Sequence, residues 1–464
     1  MVKIFNHYLR WESIFQAMVY VALVVGTLVV SMAWQAGDIA FNGAMVSSGI
    51  IRGVLIAIGI LGINFSLGIY ESPSNLTVGQ VRARAALSFI LSMAIAGIIL
   101  MLLPLNPPYH NEQALLALLV MVSAMLVMRL LGNSLLPASY RRQRVLVYGT
   151  GSRACVVTES LMQNDPSIEL VGHFRGPQER EPVAHGLNVG SSGKTLTEVV
   201  AQYRVSEIVV AVNERRGGSM PLRELLDCKL QGVQVIDLAT HFEKLLGQVH
   251  LEAVSAGWLI FGDGFKQGVV RSVVKRLFDI VGSSILLLLA APVMLLTACL
   301  VVLESGMPIF YRQERVGLNG RTFNVIKFRS MRQDAEKDGT PRWAGAGDAR
   351  VTRIGKLIRK TRIDELPQLL CVLKGDMSLV GPRPERPYFV ERLTTDIPYY
   401  ALRHGVKPGL TGWAQVRYHY GASVKDAEQK LQYDLYYVKN HSWFLDLIVL
   451  FETVGVVLTG KGAQ

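Results

Sequence analysis

Cysteine is scarce in this 464-residue chain. The four present, Cys155, Cys228, Cys299 and Cys371, share no CxxC or metal-ligand spacing, and Cys299 lies in an apolar run. That pattern argues against a disulfide framework or a zinc site and favours reduced thiols. Charge is also thin, at 18% of residues, and acidic side chains are the scarcer sign, with 36 Asp and Glu against 48 Lys and Arg. The deficit is local. From Phe265 onward there are 29 Lys and Arg against 18 Asp and Glu, which accounts for +11 of the chain's +12. So basic a region expects anionic partners such as phospholipid head groups or phosphorylated substrates. Aromatic residues, 8% overall, are too sparsely interleaved among these cations to suggest docking of nucleic acid, and no nucleic-acid partner is expected.

Half of the residues are apolar, and they concentrate in the first third. Residues 14–34, 50–70, 86–105 and 114–136 each approach the ~20 residues that cross a hydrocarbon core as a helix. The first is too long for a signal peptide and lacks a cleavage site. Lys3 and Arg10 precede it, Arg82 and Arg84 lie between the second and third runs, and Arg141, Arg142 and Arg144 follow the fourth. By the positive-inside rule both ends of this unit face the cytoplasm.

Residues 144–250 read as a soluble α/β unit. Residues 144–148 (RVLVY) have a buried-strand pattern, and Gly149-Thr-Gly151-Ser-Arg-Ala154 matches G-x-G-x-x-A ahead of a helical stretch. Strand-like runs follow at 207–212 and 233–238, suggesting a small Rossmann-like sheet. Two readings of the glycines stand: a nucleotide cradle, or a tight turn with close helix packing. The acidic residue a dinucleotide site wants after the second strand is not evident in 168–174, IELVGHF.

Residues 280–303 form a further apolar run with Pro292 in its middle. A straight helix of that length would be about 36 Å long, enough to cross. A fifth crossing would put the basic remainder of the chain outside. A re-entrant helix, kinked where Pro292 removes a backbone hydrogen bond, reconciles length, proline and charge; an ordinary span is the alternative. The late apolar stretch 443–458, interrupted by Asp446 and Glu452, suggests a helix lying in the membrane interface.

Three clusters beyond it carry chemistry: Lys327-Phe-Arg329-Ser-Met331, Arg362-Ile-Asp364-Glu365-Leu-Pro-Gln368 and Gly381-Pro-Arg383-Pro384. Adjacent carboxylates in basic surroundings invite a divalent-metal and phosphate reading, because hard Mg²⁺ prefers carboxylate and phosphate oxygens together. Arginine forks match phosphate oxygens, and flanking prolines would hold Arg383 at low entropic cost. The alternative is that Asp364 and Glu365 merely cap a helix start.

KRLFDI (275–280), the proline-broken apolar run, RQERVGLNG (312–320), FNVIKFRSM (323–331), RIDELPQL (362–369), KGDMSLVGPRPE (374–385) and VKPGLTGWAQV (406–416) occur in order. Together they resemble the monotopic phosphoglycosyl transferases, the polyprenyl-phosphate hexose-1-phosphate transferases that begin exopolysaccharide, capsule and O-antigen synthesis. The four spans and the Rossmann-like unit are similar to the long form of that family. One departure is Ala291, where many members carry serine before the hairpin proline.

The resemblance implies a four-helix transmembrane region over 1–138, a Rossmann-like cytoplasmic domain over 139–262, and an α-rich catalytic domain over 263–464 with the re-entrant helix. It implies a bacterial inner-membrane enzyme whose catalytic domain faces the cytoplasm. The partners implied are a UDP-sugar, polyprenyl phosphate and the membrane, with Mg²⁺ as cofactor; a homodimer through the N-terminal parts also fits. Asp364 would be the nucleophile, Glu365 its companion and a metal ligand beside it. Lys327, Arg329, Arg362 and Arg383 would contact phosphate, and Lys407, Gly409 and Thr411 would lie near the nucleotide. The front end would then be dispensable for chemistry. A rival with a similar front end, a membrane-bound nucleotide-sugar dehydratase, would need a second dinucleotide fold, and no Gly-rich strand–helix turn follows residue 265.

Overall fold

A computed structural model describes residues 2–4, 7–9, 11–36, 43–67, 78–103, 110–135, 143–164, 168–176, 189, 193–212, 220–254, 258–259, 264–265, 268–332, 350–418, 421 and 423–459. The chain divides into two compact units, one of residues 9–247 and one in which residues 2–8 join 248–464. The boundaries expected at 138/139 and 262/263 lie outside the described residues, as do Arg10, Arg141 and Arg142.

The first unit opens with four helices: α1 (Trp11–Ala36), α2 (Gly43–Ser66), α3 (Val78–Leu102) and α4 (Asn111–Leu135). Each packs on its neighbour in sequence, and α1 also packs on α4. Their inward residues, among them Val24, Leu28, Ile56, Ile60, Leu100 and Leu118, form one apolar core. Val30, Ile51, Ile58, Ile90 and Leu116 stay exposed, as befits helices whose outer faces meet lipid. Between α2 and α3 the buried Ser88 Oγ donates to Asn64 Oδ1 (2.5 Å), a polar tie of the kind that joins helices in an apolar solvent.

The rest of that unit is built on a four-stranded parallel sheet. Its strands are β3 (Gln143–Tyr148), β4 (Ile168–Phe174), β5 (Glu207–Val210) and β6 (Gln234–Asp237), in the spatial order β4-β3-β5-β6. Leu146, Ile208 and Val210 are buried with Leu196, Val199 and Leu225 from the covering helices, which explains the unbroken apolar runs in the sequence. The Gly149–Gly151 turn follows β3; Gly149 N–H donates to Phe174 O (2.9 Å), and its carbonyl lies 3.3 Å from His173 Nδ1.

In the second unit the segment read as a hairpin is one continuous helix, Val269–Ser305, with Pro292 inside it. A proline there frees only the Leu288 carbonyl, so the hydrogen-bonded ladder runs on to either side. Both ends of this helix are tied to the same folded unit. Near its start Arg276 donates to the Val372 and Leu373 carbonyls (2.6 Å each), while Asp279 accepts from Leu379 N–H (3.0 Å) and Ser378 Oγ (2.9 Å). Near its end Glu304 caps the helix Arg353–Lys360, accepting from the N–H groups of Arg353 (2.8 Å) and Ile354 (3.0 Å). Between Ser283 and Thr297 the helix has no buried residue, and Ile285, Leu288, Leu289, Val293, Leu295 and Leu296 are exposed.

The core of this unit gathers Val325, Leu369, Val372, Leu379, Trp413, Leu431, Leu435 and Tyr436. The helix Trp443–Thr459, expected to lie in an interface, buries Leu445, Ile448 and Val449 in that core. Its Asp446 accepts from Tyr437 Oη (2.6 Å) and pairs with Lys275 (2.9 Å), which accounts for the acid interrupting an apolar run.

Two short strands, β1 (Val2–Ile4) and β2 (His7–Leu9), precede the membrane helices, yet residues 2–8 belong to this second unit. His7 is buried edge-on against Trp413 and Tyr436, with Nδ1 2.7 Å from Tyr436 Oη. Burial, then Arg417, lowers its pKa to about 3, so it is neutral at pH 7. The front end is therefore not wholly separable from the part that bears the site motifs. His7→Ala should lose about 2 kcal/mol of packing and hydrogen bonding. Thermal unfolding of the detergent-purified full chain should show the second unit's transition about 4–8 °C lower, and an unchanged transition would refute this role.

Candidate active site

The site starts from a β-hairpin whose strands, Phe310–Val316 and Thr322–Phe328, pair antiparallel with Tyr311 opposite Lys327. Side chains alternate along a strand, so Lys327 points to the same side as Val325, which is buried in the core. The amphipathic helix Arg353–Lys360 leads to the carboxylates. Arg362 follows in the left-handed conformation (φ 59°, ψ 13°), uncommon for a non-glycine residue. That reversal turns the chain inward through the 3₁₀ turn Ile363–Glu365 and buries Asp364 and Glu365. Pro367 then starts the helix Gln368–Lys374.

The third cluster is set by a parallel pair of short strands, Ser378–Val380 and Gly409–Thr411. Gly381 must be glycine because a Cβ there would collide with the Lys407 carbonyl. The chain then runs through Pro382-Arg383-Pro384, and Arg383 reaches back to the dyad.

The two carboxylates are in unequal states. Glu365 Oε1 accepts from Lys327 Nζ (2.7 Å) and from Arg383 Nη2 (2.8 Å), and Oε2 lies 3.9 Å from Arg362 Nη1. Burial works to raise its pKa, but Arg383 and Lys327 hold it well below the usual carboxylate range, so Glu365 stays ionised. Asp364 has no side-chain hydrogen bond or ion pair among the described residues. Burial, then the charge of Glu365, pushes its carboxyl from 3.8 up to about 6, against the opposing pull of Lys327, Arg383 and Arg359. Lys327 is itself held down by burial, which Glu365 opposes. One carboxylate is thus spent on anchoring cations, and its neighbour is left open.

Of the residues singled out in the sequence, the structure brings together Asp364, Glu365, Lys327, Arg362 and Arg383. Arg329 is buried, and its Nη2 donates to the Ser305 carbonyl (2.8 Å), Ser305 Oγ (2.9 Å) and the Gly306 carbonyl. It thus satisfies carbonyls at the end of the long helix. Lys407 lies among Arg276, Asp279 and Asp376. Thr411 Oγ1 is 2.8 Å from Thr453 Oγ1, and its carbonyl accepts from Gly381 N–H (2.9 Å). Sequence reasoning missed Arg315, Arg403 and Asp434, which surround the Arg383 segment. A signal existed for Asp434, a charge on the apolar stripe Leu431, Leu435, Val438.

Apolar helices suited to a bilayer and a buried carboxylate pair among converging cations mark a membrane protein with one candidate site. Comparison with known proteins narrows this. The family model described as bacterial sugar transferase matches residues 270–460. A UDP-N-acetylgalactosamine-undecaprenyl-phosphate N-acetylgalactosaminephosphotransferase of Aeromonas hydrophila is 44% identical over 245 residues, 52% of this chain and 56% of that one. A UDP-glucose:undecaprenyl-phosphate glucose-1-phosphate transferase of Escherichia coli (strain K12) is 40% identical over 330 residues, 70% of this chain and 69% of that one. An uncharacterized sugar transferase, EpsL, of Bacillus subtilis (strain 168) is 44% identical over 192 residues, 41% of this chain and 91% of that one. The chain thus spans little more than half the length of the Aeromonas relative. It belongs to the bacterial sugar transferase family, and the dehydratase alternative finds no support among these relatives.

The raised pKa of Asp364 carries a stability signature. Between pH 4 and pH 7 the unfolded chain gives up this proton first, so ionising Asp364 costs the folded state free energy, at most on the order of 3 kcal/mol. Asp364→Asn should therefore raise the unfolding temperature at pH 7.5, and the gain should vanish near pH 4. An equal effect at both pH values would contradict the raised pKa.

Proposed function

We propose that this protein transfers a hexose-1-phosphate from a UDP-sugar to polyprenyl (undecaprenyl) phosphate, releasing UMP and leaving a polyprenyl-diphosphate-sugar. The observation that carries the reading is the asymmetric dyad: a buried, open Asp364 beside a Glu365 that fixes Lys327 and Arg383. In the first displacement an Asp364 oxygen attacks the phosphorus that bears the sugar, and the P–O bond to UMP breaks. In the second, an oxygen of polyprenyl phosphate attacks the same phosphorus and frees Asp364. Splitting the transfer lets each anion meet the reacting phosphorus separately at one carboxylate. Lys327, Arg362 and Arg383 offset charge on the transferring oxygens, and burial strengthens their effect. Burial also keeps the Asp364 carboxylate poorly solvated and hence a stronger nucleophile once ionised.

The donor set fits Mg²⁺. Among the described residues no group of three His, Cys, Asp or Glu forms a cage, and Mg²⁺ commonly takes one or two carboxylates with substrate phosphates and water. Asp364, together with the Oε2 side of Glu365, would hold it. When bound, the ion would neutralise phosphate charge and orient the transferring group.

We place the catalytic unit on the cytoplasmic face of a bacterial inner membrane, at the start of a polysaccharide pathway. We read the helix Val269–Ser305 as re-entrant. Both of its ends are held by one unit and its exposed apolar middle contains Pro292, which suits entry and exit on the same face. The parallel β4-β3-β5-β6 sheet supports a Rossmann-like reading of the domain before it.

Asp364→Asn should abolish UMP release, since an amide is a far poorer nucleophile. Intact-mass analysis of wild-type protein with UDP-sugar alone should show a phosphosugar adduct that the variant lacks, and full turnover by the variant would sink the assignment. Glu365→Gln, which loosens Lys327 and Arg383, should lower kcat by about 100-fold or more. Pro292→Leu should straighten the long helix in part of the population and lower activity at normal expression. A cysteine at exposed Lys356, in a background cleared of accessible thiols, would report sidedness with an impermeant maleimide. Labelling of intact wild-type cells would rule out the re-entrant reading.

A further inference from the structure

The Pro382–Glu385 segment is tied down at four successive carbonyls by groups distant in sequence. Pro382 O accepts from Gly409 N–H (3.0 Å), Arg383 O from Arg403 Nη2 (2.9 Å), Pro384 O from Arg315 Nη1 (3.0 Å) and Glu385 O from Val316 N–H (2.9 Å). Two of the four residues are prolines and donate no N–H, so carbonyls carry most of the segment's backbone hydrogen bonding. Two of the four ties come from side chains, and Arg403 is the more constrained. It is buried and gives Nε (3.0 Å) and Nη2 (2.6 Å) to Oδ2 of the buried Asp434, while Nη1 reaches Tyr400 Oη (2.8 Å). Arg315 is braced in turn by Gln313 Oε1 (2.6 Å) and Glu385 Oε2 (3.3 Å).

A desolvated Arg–Asp pair is a costly way to fill a core, since apolar residues of similar volume serve as well or better. Its distinctive contribution here is directional. Asp434 fixes the guanidinium plane, and the plane presents one N–H to the carbonyl of the residue whose side chain holds Glu365.

We propose that Arg403 and Asp434, with Arg315 on the other side, are positioning residues that set Arg383 against the Asp364–Glu365 dyad. They act through the backbone of Arg383 and touch no substrate. The inference rests on the transferase reading above, and a displaced guanidinium at the dyad is expected to lower the rate of transfer more than the affinity for the sugar nucleotide.

The test uses the full chain in nanodiscs and measures UMP release from UDP-hexose with polyprenyl phosphate. Arg403→Lys keeps the charge opposite Asp434 but loses the fork. The double variant Arg403→Met/Asp434→Leu removes the pair without leaving an orphan charge. Arg315→Gln, at a less buried side chain, releases the Pro384 carbonyl. Each is expected to lower kcat by 10- to 100-fold with KM for the UDP-sugar changed less than threefold. In an Arg383→Ala background the same substitutions should cost less than twofold more, because the group they position is gone; a merely structural role would give additive losses. Should either Arg403 variant fail to fold, Arg315→Gln decides by the same criteria. Folded variants with wild-type kcat, or fully additive losses with Arg383→Ala, would overturn the inference. Absence of UMP release from the wild type would instead refute the transferase reading.

Discussion

The interaction on which the site depends is the convergence of Lys327 and Arg383 on one oxygen of Glu365. The two cations come from elements that share no local sequence, a hairpin strand and a proline-bounded turn. The carboxylate that joins them sits on a 3₁₀ turn entered through a strained Arg362. Buried charge is tolerable only when paired and hydrogen-bonded. Glu365 meets that condition and thereby closes three chain segments around one point. Asp364, next in sequence, shares the burial but not the partners, and its raised pKa expresses that difference. A single dipeptide thus carries an anchoring acid and an open one, separated by which neighbour each can reach.

The membrane element is built into this arrangement. Arg276 donates to the last carbonyls of the helix that begins three residues after Glu365, and Asp279 holds the strand that leads to Gly381. At the far end Glu304 caps the helix whose chain continues to Arg362, and Arg329 closes over the Ser305 and Gly306 carbonyls. Helix termini leave unsatisfied backbone groups that need partners where water is scarce. Here those partners are charged side chains that also fix the approach to the dyad. Hydrogen bonds therefore join the two ends of the long helix to the segments on either side of the carboxylates. Arg329 Nη2 is committed to the helix end, while its buried Nε and Nη1 have no hydrogen-bond partner among the described residues.

The four N-terminal helices were legible because apolar runs of about twenty residues with at most one charge have few other uses, and the parallel sheet because its two central strands read as apolar runs. The dyad stood out as adjacent acids in basic surroundings, but charge alone left a helix cap equally open, and the resemblance of the RIDELPQL segment to a family motif set it apart. Its partners were harder to read. Nothing local tells which of the many arginines reaches Glu365, and the neighbours of Lys407 and Thr411 come from residues up to about 130 positions away in the chain. Pro292 marks the middle of the long apolar run in the sequence, and the helix runs through it, since a proline there removes a single backbone hydrogen bond. His7 carried no signal at all. A short strand before a membrane helix has no pattern that would announce a seat between Trp413 and Tyr436.

Polar groups that interrupt an apolar period mark where distant segments of this chain must meet. Asp434 and Asp446 both sit where a hydrophobic residue would satisfy the helix pattern, and both are buried with a cation and a tyrosine. Each acid costs stability unless its partners are in place, so each makes the fold conditional on a particular arrangement of distant segments. Asp434 conditions the segment around Arg383, and Asp446 conditions the base of the long helix through Lys275. In a unit that carries a long helix with an exposed apolar middle, apolar packing alone would leave many arrangements close in energy. Charges placed inside the core penalise every arrangement except the one in which they meet, and that one also brings the cations to the dyad.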